Sequence, residues 1–288
     1  LCAENVTNAT TQTEPLSSIE IFNIFIYFVT FALGIVGNGL IIFVTGYKMK
    51  TTVNSIWFLN LAIADFIFNF IIIFYIVIAF NRMVWHFGDF MCKFVSFVAV
   101  LKMFVSIFLL TAISLDGYLF TWSTLVKARI ICALVWVLSI LCSIPFVINR
   151  LVMHKQCIYN LEPFKSLVIY RFMVGFLIPF LIIVSSFIAI GVRAKRLKRG
   201  KKLKSFGVII SVIMALFLCW FPFHVHQLCT VIALENEWNE FFFVIIYIGP
   251  FVNCLVHLSS CLNPILYVFM CEEFKKKLKQ SLLHCKPG

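Results

Sequence analysis

Seven long, mostly apolar stretches run through the chain, at residues 21–46, 53–80, 93–120, 128–149, 166–192, 206–233 and 241–270. A helix that crosses a bilayer needs about 20 such residues, so the spacing predicts seven spanning helices. The runs are rich in Phe, Ile, Leu and Val and lack period-2 alternation, which argues against an outer-membrane barrel. Of the 288 residues, 62% are hydrophobic and only 12% charged, against about 45–50% and about 25% in soluble domains. That balance disfavours a soluble enzyme, and no nucleic-acid partner is expected in spite of the net charge of +12. The expected fold is an all-α membrane bundle over 21–270. A polar extracellular N-terminus (1–20) precedes it, and a short amphipathic eighth helix with a cytoplasmic tail (271–288) follows.

An odd number of spans puts the two ends of the chain on opposite sides, and the basic residues orient them. The loops after spans one, three and five and the tail hold 17 of the 24 lysines and arginines. The positive-inside rule assigns these segments to the cytoplasm and the N-terminus to the exterior. Asn5-Val6-Thr7 and Asn8-Ala9-Thr10 are glycosylation sequons, usable on that outer side. Acids collect there too: Glu4, Glu14, Glu20, Asp89, Glu162, Glu235, Glu237 and Glu240. The cationic inner face suits both anionic membrane lipids and an intracellular protein partner.

Polar and proline residues recur at depths where each is costly. They are Gly37-Asn38 in span one, Leu61-Ala62-Ile63-Ala64-Asp65 in span two, and Cys92 and Asp116-Gly117-Tyr118 at the two ends of span three. Trp136 and Pro145 follow in span four and Pro179 in span five. Cys219-Trp220-Phe221-Pro222 lies in span six and Asn263-Pro264-Ile265-Leu266-Tyr267 in span seven. In this order the set resembles the rhodopsin-like G-protein-coupled receptors over nearly the whole chain. Thr52 to Leu61, Trp85-His86-Phe87-Gly88, Ser106 to Asp116 and Cys261-Leu262-Asn263-Pro264 narrow it to the chemoattractant branch. That branch holds the formyl-peptide, anaphylatoxin and chemerin receptors. The resemblance implies a multi-pass plasma-membrane receptor for an extracellular peptide or acidic lipid, coupled to a heterotrimeric G protein of the inhibitory type.

The resemblance also implies roles for single residues. Cys92 and Cys157 match the family's disulfide positions. Cys285 is a candidate palmitoylation site. Pro222 and Pro264 match its helix hinges, and Trp220 the lever beneath its ligand. Asp65 matches a carboxylate that holds sodium, with Ser106, Ser260 and Asn263 in the surrounding shell and Ser259 in place of a frequent Asn. Lys102 departs from that pattern. It stands one helical turn before Ser106, so both can face Asp65. The expectation is an internal ion pair in which the ammonium takes the sodium's role; a second polar cleft or snorkelling are the alternatives. The larger departure is Gly117, where the family has the Arg of Asp-Arg-Tyr. Phe187 likewise replaces a frequent Tyr. Gly has no charge or reach and weakens a helix by about 1 kcal/mol relative to Ala. Three readings stay open here: relaxed restraint with basal signalling, a decoy or scavenger that couples poorly, and an introduced substitution at Gly117.

Counting outward from the landmarks gives a ligand-binding lining of Tyr75, Ala99, Val100, Met103, Arg171, Gly175, Phe223, His224, Gln227, Asn253 and His257. Ala99 carries no carboxylate for an amine. Arg171 lies eight residues before Pro179, where formyl-peptide receptors place a ligand-binding Arg, and its guanidinium suits a carboxylate. An internal pair or a headgroup contact is the other reading of Arg171. Val100 stands where those receptors carry an acid, against formyl-peptide recognition itself. No nucleophile–base motif or phosphate loop points to an enzyme, and no Cys/His spacing points to a metal. No cofactor is expected. Asp65, Lys102 and Arg171 leave a transporter or channel as a remote alternative, although no inverted repeat accompanies them.

Overall fold

The computed structural model describes residues 17–82, 84–119, 124–197 and 203–270, with the backbone alone for 117–119, 190–191, 193–197, 203–212, 215–216, 263 and 265–270. Asn5, Asn8, Cys285 and the expected amphipathic helix after 270 lie outside the described residues.

The first, second and fourth helices start where a side chain satisfies free backbone donors. Helix α1 (Ser18–Phe43) opens on a capping box, with Ser17 N donating to Glu20 Oε2 at 2.8 Å and Glu20 N donating to Ser17 Oγ at 3.3 Å. It runs on through a π-helical stretch, Val44–Lys48. Helix α2 (Val53–Phe80) repeats the device with Thr52 and Ser55. Helix α3 spans Gly88–Leu119 and α4 spans Leu125–Ile148, the latter capped by Thr124. A hairpin follows, β1 (Arg150–Met153) pairing antiparallel with β2 (Gln156–Tyr159). Helix α5 (Leu161–Phe172) continues through a π-helical stretch (Met173–Leu177) into α6 (Ile178–Leu197). Pro179 cannot donate a backbone bond, and the wider turn just before it absorbs the irregularity. Helices α7 (Leu203–Glu235) and α8 (Asn239–Met270) complete the chain, with Pro222 inside α7 and Pro250 and Pro264 inside α8.

Counting α5 and α6 as one continuous span, seven spans among the described residues are long and apolar enough to cross a membrane. Two begin a full five residues earlier than hydropathy indicates, the largest offsets among the spans: α3 at Gly88 rather than 93, and α5 at Leu161 rather than 166. Each first turn carries an acid, Asp89 or Glu162, and so falls outside the apolar run. They are held instead by ion pairs, Asp89 with Lys93 at 2.7 Å and Lys165 with Glu235 of α7.

Helix α3 sits centrally, against α2, α4 and α6, while α1 closes the ring against α2 and α8 and α7 packs along α8. Polar ties cross these seams. Asn38 Nδ2 donates to Gly34 O at 2.9 Å and across to Ser260 O of α8 at 3.0 Å. Trp136 Nε1 of α4 donates to Asn60 Oδ1 of α2 at 3.0 Å. Glycines allow close approach: Gly34 faces the Asn69 side chain, and Gly37 the Pro264 ring, where an added Cβ would come within 2.8 Å.

Candidate functional site: a cationic cavity under the hairpin

The hairpin is built by a two-residue turn with His154 and Lys155 at φ 49° and 57°, the positive-φ geometry that suits the twist of paired strands. Two ties hold it over the bundle. Cys157 is disulfide-bonded to Cys92 of α3, with Cα atoms 5.6 Å apart. Trp85 N donates to Lys155 O at 2.7 Å.

The strand register places Arg150 opposite Tyr159, and the Arg150 guanidinium lies 3.7 Å from the centre of the Tyr159 ring. Arg150 Nη1 donates to Cys157 O at 2.9 Å. From α5, Arg171 Nη2 donates to Tyr159 Oη at 2.8 Å. Arg171 is only 6% exposed, and its guanidinium stands 4.5 Å from the Phe146 ring centre and 5.5 Å from that of Phe223. Burial alone would raise the Tyr159 phenol, but the Arg171 and Arg150 charges outweigh it and hold its pKa below the usual 10.0. The Nε atoms of both arginines are buried without a hydrogen-bond partner among the described residues.

These groups form one wall of a cavity of about 320 Å³. Tyr75 of α2, Asn253 and His257 of α8, Ala99, Val100 and Met103 of α3 and Gln227 of α7 line the same cavity. Phe68 and Trp220 also line it. No Asp or Glu is among its lining residues, so two positive charges face it with no acid to balance them. His257 Nδ1 is 2.7 Å from the Asn253 carbonyl, and its ring packs 4.7 Å from that of Tyr75. A carbonyl can only accept, so Nδ1 carries the proton and Nε2 is left as an acceptor.

Nine of the eleven expected lining residues thus meet in one cavity; Gly175 lies outside it, and so does His224. It is buried instead against Phe176 and Phe172, with ring centres 4.8 and 6.0 Å away. Arg150 and Tyr159 are cavity residues the sequence reading missed. The signal that would have found them is the hairpin register, and a His-Lys turn carries no Asn-Gly mark to reveal it.

Deeper in the bundle, Lys102 Nζ lies 3.4 Å from Asp65 Oδ1 and donates to Ser259 Oγ at 2.7 Å. All three residues are buried. Ser106 Oγ is buried without a hydrogen-bond partner among the described residues, and Ser106 lines a small hole of about 20 Å³ with Met103, Gly175 and Trp220. Trp220, Ser260 and Pro264 are buried, Pro222 and Phe187 half-buried. Asp116 is half-buried near the far end of α3, whose helical backbone continues through Gly117 and Tyr118. The side chains of Tyr118, Asn263 and Tyr267 are outside the described atoms. Among the described residues no cluster of His, Cys, Asp and Glu could hold a metal ion.

Known proteins share this arrangement of spans. The pattern of the 7 transmembrane receptor (rhodopsin family) matches residues 37–267. The chain belongs to that family. The receptor is 36% identical to the C3a anaphylatoxin chemotactic receptor of Danio rerio, over 94% of this chain and 78% of that protein. It is 37% identical to the C3a anaphylatoxin chemotactic receptor of Oncorhynchus mykiss, over 92% of this chain and 78% of the relative. It is also 36% identical to Chemerin-like receptor 1 of Homo sapiens, over 91% and 80%. It is therefore a multi-pass membrane receptor of the chemoattractant type, not an enzyme, in a family that works through an extracellular ligand and a G protein.

Proposed function

We propose that this receptor binds an extracellular ligand with a free anionic group, a peptide carboxyl terminus or an acidic lipid, and signals to an inhibitory-type G protein. The observation that carries the reading is the pairing of Arg150 and Arg171 around Tyr159 on a cavity wall with no lining acid. Two guanidiniums at a partly desolvated site, each with a buried Nε still to be satisfied, form a receptor for a planar oxyanion. Tyr75, Gln227, Asn253 and His257, which line the same cavity, supply donors and acceptors for the rest of the ligand. In this reading the N-terminus is extracellular with Asn5 and Asn8 as glycan sites, and the basic inner segments, with Cys285 as a lipid anchor, face the cytoplasm.

Activation is atypical. Gly117 removes the cation that restrains the inactive state beside Asp116, while the Asn263-Pro264 hinge, Tyr267 and the basic inner face remain. Loss of the restraint with the transducing parts kept favours basal, ligand-independent coupling. The loss of Arg at this position also motivates a second reading, a decoy that binds without coupling.

The ligand reading is tested with free acids and their neutral counterparts: peptides with free or amidated C-termini, including those of the C3a anaphylatoxin, and long-chain fatty acids with their methyl esters. Receptor in nanodiscs is expected to melt higher with acids than with neutral partners. Arg171→Ala is expected to weaken the acids by about 10- to 100-fold, the loss of a charged hydrogen bond. Acids and neutral partners acting alike on the wild type would contradict the assignment.

A further inference from the structure

The family resemblance implies a sodium ion beside the α2 aspartate, and the donor set here does not fit one. Asp65 is fully buried, at 0% exposure, and its Oδ1 faces the Lys102 ammonium at 3.4 Å. The same ammonium donates to Ser259 Oγ at 2.7 Å. The Ser259 hydroxyl gives its own proton to the Val256 carbonyl at 2.6 Å, so its free lone pairs turn toward Lys102. A hard cation is bound by gathering several oxygens at once. Here two of those oxygens are engaged by a cation that is covalently tethered, and the carboxylate's charge is already neutralised. A second monovalent cation in this space would meet repulsion from Lys102 at short range in a medium of low dielectric.

We propose that Lys102 is the permanent core cation of this receptor, that it replaces sodium, and that it joins the ion pair to the floor of the ligand cavity. The ammonium lies 5.2 Å from the Phe68 ring centre and 5.4 Å from that of Trp220. Both rings line the cavity, and so does Val256, whose carbonyl closes the Ser259 chain. Cation–π contact makes the position of each ring part of the ammonium's surroundings. A ligand that presses on Trp220 therefore acts on the Lys102–Asp65 pair directly. A free ion could leave the site to relieve that load; Lys102 cannot.

The test is thermal unfolding of the full chain in nanodiscs, in sodium chloride and in choline chloride at equal ionic strength, with the sodium NMR linewidth recorded beside it. The wild type is expected to melt alike in both salts and to leave the sodium line as receptor-free nanodiscs do. Lys102→Asn, which removes the tethered charge and adds a carbonyl oxygen, is expected to gain a sodium-specific rise of about 2–4 °C. Sodium-specific stabilisation or line broadening in the wild type overturns the proposal. So does a folded Lys102→Asn protein that melts alike in both salts. The wild-type linewidth decides the matter even where that variant is not recovered.

Discussion

The residues that distinguish this receptor are cations held inside the membrane. Lys102 and Arg171 were legible in the sequence because each interrupts an apolar run, and counting helical turns from Ser106 and Pro179 placed them. Arg150 was not legible. It lies just past the end of α4, where a basic residue reads as an ordinary flank of a span, and only the strand register brings it over Tyr159. His224 shows the opposite error: one residue from the lining position Phe223, it turns into an aromatic seam rather than the cavity. The Lys102–Asp65 pair makes a prediction of its own. Removing one member of a buried pair strands the other charge, at a cost of about 3–5 kcal/mol, whereas removing both is close to neutral. Asp65→Asn is expected to lower stability by that order in denaturation of the purified receptor. Asp65→Asn with Lys102→Met is expected to recover most of it. Equal losses in the single and double variants would show that the pair is not coupled.

The elements follow from local chemistry more closely than from hydropathy alone. Capping boxes set the starts of α1 and α2, and ion pairs extend α3 and α5 outward by a turn that no apolar window contains. The hairpin escaped the sequence reading because its turn residues are His154 and Lys155, neither a usual positive-φ residue. Seam packing is equally hidden, since a glycine in an apolar helix does not announce what it faces. Gly34 faces the buried Asn69 side chain, which is held by its own bond from Nδ2 to Asp65 O at 2.7 Å. Gly39 has ordinary room, its nearest neighbour being Phe66 Cε2 at 3.5 Å from an added Cβ. Gly34→Ala is expected to destabilise by about 1–3 kcal/mol through overpacking, and Gly39→Ala to be tolerated. Adding Asn69→Ala to Gly34→Ala is expected to restore part of the loss. Equal melting temperatures for the two single variants would refute the Gly34 contact.

At the scale of the whole molecule, seven spans and their order were legible from apolar runs and seven spaced landmarks. That is the level at which membership of the rhodopsin family is settled, with the pattern matched over residues 37–267. The mean hydropathy of +1.02 and the pI near 9.3 belong together on this view: the apolar residues make the bundle, and most of the charge lies in segments assigned to one membrane face. What the sequence did not disclose is how the cavity joins the core, through Phe68 and Trp220 above Lys102. The departure at Gly117 concerns the opposite end, where a G protein would dock. Guanine-nucleotide exchange on an inhibitory-type G protein, in membranes carrying the receptor and no added ligand, tests whether this is a transducer. Exchange above that of receptor-free membranes is expected for the wild type, and a lower rate for Gly117→Arg at equal surface expression. Exchange at the receptor-free level in both forms would contradict basal coupling and leave a ligand-binding decoy.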